Sequence, residues 1–249
     1  MSTSSHGLLT AYRVFGPVDV KNIRREDLLM WIGGLMGVVV VLYRYGVPAL
    51  AGVLDARLGF DLTPYYDLIM STYVGTAAGM AGMVIGFLLL DERDENTLTA
   101  LLVTPLPIGA YLAYRITLPL ILGFVVTCVT YPLVWLAPIS AVELVVVAGL
   151  ASFGGPGAAL FLAVFAENKI TGLALTKVFN AFSFIPVLAY FVHSDWQLLA
   201  GIVPGYWPMK VVWLAAAGEP YAWYAVVGLV VNIAVLWLLL RRFNIILHR

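Results

Sequence analysis

Long apolar runs separated by short polar segments dominate the pattern of this chain. An α-helix needs roughly 20 mainly apolar residues to cross a bilayer core about 30 Å thick. Six runs meet that requirement, at residues 28–50, 67–90, 108–136, 142–166, 172–192 and 221–240. Because backbone polar groups must be satisfied internally in lipid, the pattern predicts an all-α integral membrane protein with six transmembrane helices.

A further apolar stretch, residues 196–217, precedes the last run and is broken by Pro204, Gly205 and Pro208. A seventh crossing here would also move the basic C-terminus to the opposite side of the membrane. We therefore predict a re-entrant hairpin of two short helices in the outer leaflet. Its aromatic residues are expected at the headgroup level: Trp196, Tyr206, Trp207 and Trp213.

The arm before the first span, residues 1–27, carries Leu8, Tyr12 and Phe15 at helical spacing, followed by Gly16-Pro17 and a basic segment. This pattern favours an amphipathic helix lying on the inner membrane surface, with residues 28–249 forming the transmembrane domain. The alternative is a disordered basic tail.

Small residues predict two packing features within the spans. Ala78, Gly82 and Gly86 recur at a spacing of four and allow a neighbouring helix to approach closely. Residues 154–157, Gly-Gly-Pro-Gly, are expected to kink or interrupt the fourth span. Broken helices also occur at transport sites, so this second interpretation of residues 154–157 stays open.

Composition and charge agree with a membrane protein and set its orientation. Hydrophobic residues make up 62% of the chain and charged residues 11%, against about 25% charged in soluble domains. The formal net charge is zero, which gives no indication of a nucleic-acid partner. With both termini inside, basic residues lie on the cytoplasmic side at Arg13, Lys21, Arg24, Arg25, Arg93, Arg115, Lys169, Lys177, Arg241, Arg242 and Arg249. Only Arg44, Arg57 and Lys210 then lie outside, so the positive-inside rule favours cytoplasmic termini.

The residues for catalysis or metal binding are largely missing from the sequence. Cys128 is the only cysteine, and no cluster has metal-ligand spacing. Ser152 and His193 are the candidates for an intramembrane protease pair, but Ser152 lacks the surroundings of a nucleophile and His193 follows the fifth span. No Gly-x-x-x-x-Gly-Lys-Ser/Thr segment occurs, so ATP would have to be bound by another protein. We expect no catalytic site in this chain.

The loop after the second span has a distinctive pattern. An acidic run, residues 91–95, is followed by a cap at Asn96 or Thr97, an apolar turn, and Pro105 and Pro107. A short helix of this kind fits a groove of a partner protein. A solvated turn between two spans is the alternative.

Residues 91–105, together with Tyr-Leu-Ala-Tyr-Arg at 111–115, resemble the signature of type 2 ABC transporter permeases. Asn96 stands where that family often has glycine. The resemblance implies a permease subunit of an ATP-driven exporter with a coupling helix at about 91–107. It also implies a second permease subunit, identical or related, and separate ATP-binding subunits that supply ATP and Mg²⁺. The implied docking residues are Asp91, Glu92, Arg93, Glu95, Asn96, Thr97, Leu98, Leu101, Leu102, Thr104 and Pro105.

Within the family, the loop is most similar to multidrug and fluoroquinolone exporters of prokaryotic plasma membranes. The spans carry almost no ionisable group other than Arg44, which favours a hydrophobic or amphiphilic substrate and disfavours the alternative of an autonomous ion-coupled carrier or channel. A central arginine costs about 3 kcal/mol on insertion scales. We therefore expect Arg44 to snorkel or to pair with Asp67 or Glu143. A substrate-pathway role for Arg44, Asn180 and Asn232 is the less favoured interpretation.

Overall fold

The computed structural model describes residues 2–25, 27–94 and 108–247, and its regular secondary structure over these residues is entirely helical. The α-helices are α1 Ser2–Arg25, α2 Asp27–Val41, α3 Val47–Leu58, α4 Tyr66–Asp94, α5 Ile108–Val134, α6 Ala141–Ser152, α7 Gly154–Phe165, α8 Lys169–Phe182, α9 Phe184–Tyr190, α10 Tyr206–Ala216 and α11 Ala222–Leu247. A π-helical turn, Leu42–Gly46, joins α2 to α3, and 3₁₀ turns occupy Thr63–Tyr65 and Asp195–Ile202.

Six helical segments in the described part of the chain are long and apolar enough to cross a membrane, which confirms the predicted number. They are Gly34–Leu58, Thr63–Glu92, Gly109–Val134, Ala141–Phe165, Lys169–Tyr190 and Ala222–Ile246. The first segment continues to Leu58, beyond the predicted end at residue 50. The reason is local: Pro48 stands in the first turn of α3, where a proline is tolerated, and the helix ends only at Gly59 with a φ of 62°.

The arm is helical, and its helix does not stop at Gly16-Pro17 but continues through Pro17 to Arg25. The predicted face packs against α5. The ring centroids of Tyr12 and Tyr114 are 4.8 Å apart in an edge-to-face contact, and the Tyr12 hydroxyl lies 2.8 Å from Thr117 Oγ1. A disordered tail is therefore wrong for residues 2–25, whereas the location of α1 on the membrane surface stays a prediction.

The centre of the bundle is the packing of α4 against α7, the most extensive helix pair of the fold. A Cβ added at Gly82 of α4 would lie 2.0 Å from the Gly155 carbonyl oxygen, and one at Gly155 would lie 2.7 Å from the Pro119 carbonyl oxygen. Glycine at both positions lets three backbones touch. The predicted interruption of the fourth span is confirmed, since α6 ends at Ser152 and α7 begins at Gly154.

Two short helical segments precede the last span, the 3₁₀ turn Asp195–Ile202 and α10, while their re-entrant location in the outer leaflet stays a prediction. Of the four aromatic residues expected at the headgroup level, only Trp196 is exposed. Tyr206, Trp207 and Trp213 are buried in the protein, because α10 packs against α4, α6 and α11. The indoles of Trp207 and Trp213 donate to the Gly201 carbonyl at 2.9 Å and to Ser71 Oγ at 2.8 Å.

The bundle has two ends, the arm end and the hairpin end. The arm end is where α1, the end of α4 and the beginning of α5 meet. The hairpin end is the opposite one, where α4 begins, α5 ends and α10 is packed.

Candidate functional site

The arm end brings together the two helices that flank residues 95–107. Asp91 and Glu92 lie in the last turns of α4, and α5 begins at Ile108. Arg93 belongs to the same last turn of α4. The predicted docking residues Glu95, Asn96, Thr97, Leu98, Leu101, Leu102, Thr104 and Pro105 lie outside the described residues.

Arg115 joins three helices at this end. Its Nη1 donates to Asp19 Oδ2 at 2.7 Å and its Nη2 to Asp19 Oδ1 at 3.2 Å, a bidentate pair between α5 and α1. The same Nη2 donates to Glu92 Oε1 at the end of α4. A planar guanidinium suits this arrangement, because its fixed fork of donors can serve two carboxylates at once.

Two tyrosines complete the group. The Tyr114 hydroxyl donates to Asp19 Oδ2 at 2.6 Å, and the Tyr111 hydroxyl donates to Glu92 Oε2. The guanidinium carbon of Arg115 lies 5.4 Å from the centroid of each ring, within cation–π range. We call Asp19, Glu92, Tyr111, Tyr114 and Arg115 the Arg115 cluster.

The central ion pair of the cluster is buried. Arg115 is 2% exposed and Asp19 3% exposed. A buried ion pair is close to neutral for stability as a whole, but removal of one partner leaves an uncompensated charge and costs about 3–5 kcal/mol. The cluster therefore acts as a unit that fixes the arm, the end of α4 and the beginning of α5 relative to one another.

A second, more exposed ion pair stands beside the cluster. Lys169 Nζ at the beginning of α8 lies 2.7 Å from Asp91 Oδ1. Consecutive acidic residues at the end of α4 thus contact different helices: Asp91 is tied to α8, and Glu92 to α5. The carboxylates of Asp91 and Glu92, which come shortly before residues 95–107, therefore both pair with basic side chains of the same chain.

Sequence reasoning included Arg115 in the family signature but missed its partner Asp19. A signal was present in the arm. Asp19 follows Tyr12 by seven residues and Phe15 by four, so it extends the same helical face that packs on α5. An acidic residue on the buried face of an amphipathic helix indicates a buried cationic partner.

The three candidate pathway residues have different surroundings. Asn180 is exposed on α8. Asn232 is 4% exposed, and its Nδ2 donates to the carbonyl oxygens of Gly228 at 2.8 Å and Pro204 at 3.4 Å, which ties α11 to the hairpin.

Arg44 makes neither of the ion pairs that were expected for it. Its Nη1 donates to the Val134 carbonyl at 3.3 Å. The two expected partners are engaged elsewhere: Asp67 accepts from the Tyr190 hydroxyl, and Glu143 accepts from the backbone N–H of Ser140 in a capping box.

The candidate protease pair does not come together as a pair in hydrogen bonding: Ser152 and His193 each contact a nearby backbone carbonyl. Ser152 Oγ donates to the Gly149 carbonyl at 2.7 Å, and His193 Nδ1 lies 3.1 Å from the Phe191 carbonyl. In the part of the chain that the structure describes, no group of three or more His, Cys, Asp or Glu side chains is arranged to hold a metal ion.

Comparison with known proteins gives one consistent family. Residues 19–240 match a family described as fluoroquinolones export permease protein Rv2686c-like. Two relatives from Mycobacterium tuberculosis, named fluoroquinolones export permease protein MT2760 (strain CDC 1551 / Oshkosh) and Rv2686c (strain ATCC 25618 / H37Rv), are each 32% identical over 241 residues. The alignment covers 94% of this chain and 94% of each relative. No solved structure matches the chain.

Proposed function

The chain belongs to the Rv2686c-like family of fluoroquinolone export permeases, and on this premise we propose that it is the transmembrane subunit of an ATP-driven ABC exporter. In this proposal residues 91–107 form a coupling helix that docks on a separate ATP-binding subunit. That partner binds and hydrolyses ATP with Mg²⁺, and this chain carries no catalytic site. A second permease subunit completes the complex in the lipid bilayer, with the arm end and both termini on the cytoplasmic side.

The Arg115 cluster is the observation that carries the proposal. It holds both helices that flank residues 95–107, at Glu92 and at Arg115, and it fixes the arm to the same point through Asp19. A loop that only connects two spans has no need of a buried ion triad at its base. A loop that receives force from a partner does need rigid attachment to the helices it moves.

The route of transmission follows from the packing. Movement of the coupling segment reaches α4 directly, since α4 precedes that segment in the chain, and it reaches α5 through the Glu92–Arg115 pair and α8 through the Asp91–Lys169 pair. Since α4 packs tightly along α7 at Gly82 and Gly86, a shift of α4 displaces α7 and with it the centre of the bundle. ATP binding and hydrolysis in the partner would thereby favour alternative arrangements of the spans.

We propose that the substrate is a hydrophobic or amphiphilic compound taken from the cytoplasm or the inner leaflet. The fluoroquinolones named for the relatives fit this class. The paucity of ionisable side chains along the spans also supports it, because an apolar pathway does not need to desolvate charges of its own.

The proposal also changes the role of Glu92. Its carboxylate is held by Arg115 and Tyr111 inside the chain, so we assign it to anchoring the coupling segment and leave partner contact to residues further along. Among the acidic residues implied to dock on the partner, this leaves Glu95 for the docking contact itself.

Co-purification with an ATP-binding subunit tests the proposal. We expect the tagged chain, co-expressed with an ABC-type ATP-binding protein of the same organism, to retain it in detergent and to show ATPase activity stimulated by a fluoroquinolone. Glu92→Gln should retain the partner but lose the stimulation, whereas Glu95→Gln should weaken retention itself.

Asp55→Asn is the matched control for both variants, since Asp55 is an exposed carboxylate on α3, far along the chain from the coupling segment. It should leave retention and stimulation unchanged. Failure of the chain to retain any ATP-binding subunit would contradict the proposal, and full stimulation in Glu92→Gln would contradict the anchoring role.

A further inference from the structure

Arg44 occupies an unusual position in the first span. It lies in the π-helical turn Leu42–Gly46, and π-turns within α-helices are rare and frequently found at functional sites. Its neighbour Tyr43 fixes this turn to α4, with its hydroxyl 3.2 Å from Thr72 Oγ1 and its ring centroid 5.1 Å from that of Tyr73. Arg44 itself contacts a different helix, at the Val134 carbonyl of α5.

That contact sets the depth of Arg44. Val134 is the last residue of α5, so the guanidinium lies level with the point where this span ends, at the hairpin end. The free carbonyls at a helix C-terminus carry partial negative charge and attract a cation. In the proposed orientation this is the outer end of the α5 span, while the first span itself continues to Leu58.

The guanidinium keeps most of its donors. It has five N–H groups, and its hydrogen bond to the protein, at 3.3 Å, uses one of them. Asp67 and Glu143, the carboxylates expected to pair with it, are engaged elsewhere, and no carboxylate among the described residues forms an ion pair with Arg44. The side chain is exposed. Unused donors of a cation at the outer end of the bundle favour an anionic ligand.

The backbone beside the contact is strained. Trp135, the residue after Val134, has a φ of 50°, a left-handed conformation that a bulky side chain rarely adopts. Among the described residues it is the only one other than glycine with a positive φ. Its indole is about half exposed, at 49%. A π-turn on one helix and a strained helix end on another therefore meet at a single hydrogen bond, and the residue that follows the hydrogen-bonded Val134 is an exposed tryptophan.

We propose that Arg44 is a recognition site for the acidic headgroup of an amphiphile at the outer end of the bundle. The guanidinium binds the carboxylate or phosphate, and the exposed Trp135 follows the residue that Arg44 contacts. An acidic exported compound and an anionic lipid share this chemistry. For the exported compound, the inference rests on the proposed function and makes Arg44 a residue that discriminates acidic from neutralised substrates.

Equilibrium binding to the full chain in phosphatidylcholine nanodiscs tests the site. The probes are norfloxacin, followed by its own fluorescence, and its carboxyl methyl ester. Arg44→Gln is expected to weaken norfloxacin binding by about tenfold, the usual magnitude for a lost charge-assisted hydrogen bond, and to leave ester binding unchanged. Arg44→Lys should lie between the two. The matched control is Arg57→Gln, an exposed arginine in the last turn of the same membrane segment, which should bind like the original chain.

A second measurement separates the two sources of the anion. Native mass spectrometry of the chain from mixed phosphatidylglycerol and phosphatidylcholine nanodiscs should show retained phosphatidylglycerol, lost in Arg44→Gln and kept in Arg57→Gln. If norfloxacin does not bind at all but phosphatidylglycerol is retained through Arg44, the site stands with a lipid as its ligand and the proposed substrate class is wrong. Equal losses of norfloxacin and ester binding in Arg44→Gln, or no effect of that variant on either anion, would overturn the inference.

Discussion

Replacing Arg115 by alanine is expected to detach the arm from the bundle and to abolish transport. The substitution leaves the buried Asp19 and the partly buried Glu92 without their shared cation, and removal of one partner from a buried ion pair costs about 3–5 kcal/mol. The least expensive relief is for α1 to lift away so that Asp19 regains water. Trypsin reports this movement, because Arg24 and Arg25 are exposed near the end of α1 and should be cleaved faster once the helix is released.

Two further variants separate packing from function in this experiment. Arg13→Gln removes an exposed arginine from the same arm and should change neither the rate of trypsin cleavage at Arg24 and Arg25 nor transport. The triple variant Asp19→Asn, Glu92→Gln and Arg115→Gln removes every formal charge together, so the arm should stay bound more firmly than in Arg115→Ala. Transport should still fail in it, since the rigid ionic link is gone. Restored transport would show that the cluster only supports the fold, and an unchanged cleavage rate in Arg115→Ala would contradict the assigned geometry.

Replacing Gly82 by alanine is expected to destabilise the bundle strongly. The added methyl group would lie 2.0 Å from the Gly155 carbonyl oxygen and 2.6 Å from its Cα, distances that only separation of α4 and α7 can relieve. Overpacking of this kind costs about 1–3 kcal/mol and more where backbone blocks the new atom. A lowered midpoint of thermal unfolding in detergent, with reduced yield of folded protein, is the expected measurement.

Gly75→Ala provides the matched control on the same helix. Gly75 is exposed, and a Cβ there would meet no atom within 4 Å. Both variants gain the same helix propensity, about 1 kcal/mol per residue, so Gly75→Ala should be neutral or slightly stabilising. Equal melting of the two variants would mean that α4 and α7 do not meet at Gly82.

The parts of the fold that could be predicted are those that lipid dictates. Backbone in a bilayer must satisfy its own hydrogen bonds and apolar runs of about 20 residues fit helices, so these runs alone predict the six spans, and the Gly-Gly-Pro-Gly segment predicts the break between α6 and α7. The helical spacing of Tyr12 and Phe15 likewise predicts the apolar face of the arm. These features depend on residues close together in the sequence.

The features that could not be predicted depend on residues far apart. Asp19 and Arg115 are separated by 96 positions, and only the packing of α1 on α5 brings them together. The same holds for Trp213. The sequence predicts an aromatic residue at the membrane interface, but the indole of Trp213 donates to Ser71 inside the bundle. Glu92 illustrates the limit for the site: the sequence marks it as acidic and close to the loop, but not as turned towards α5.

The central claim is that transport by this chain is driven by ATP through a partner docked at the arm end. The most direct measurement is uptake of norfloxacin into inside-out proteoliposomes that contain the chain, with and without its co-purified ATP-binding subunit. Uptake that requires the subunit and hydrolysable ATP, and that is lost in Arg115→Ala, is the expected result. Uptake by the chain alone, driven by a proton gradient and indifferent to ATP, would contradict the claim and identify an autonomous carrier.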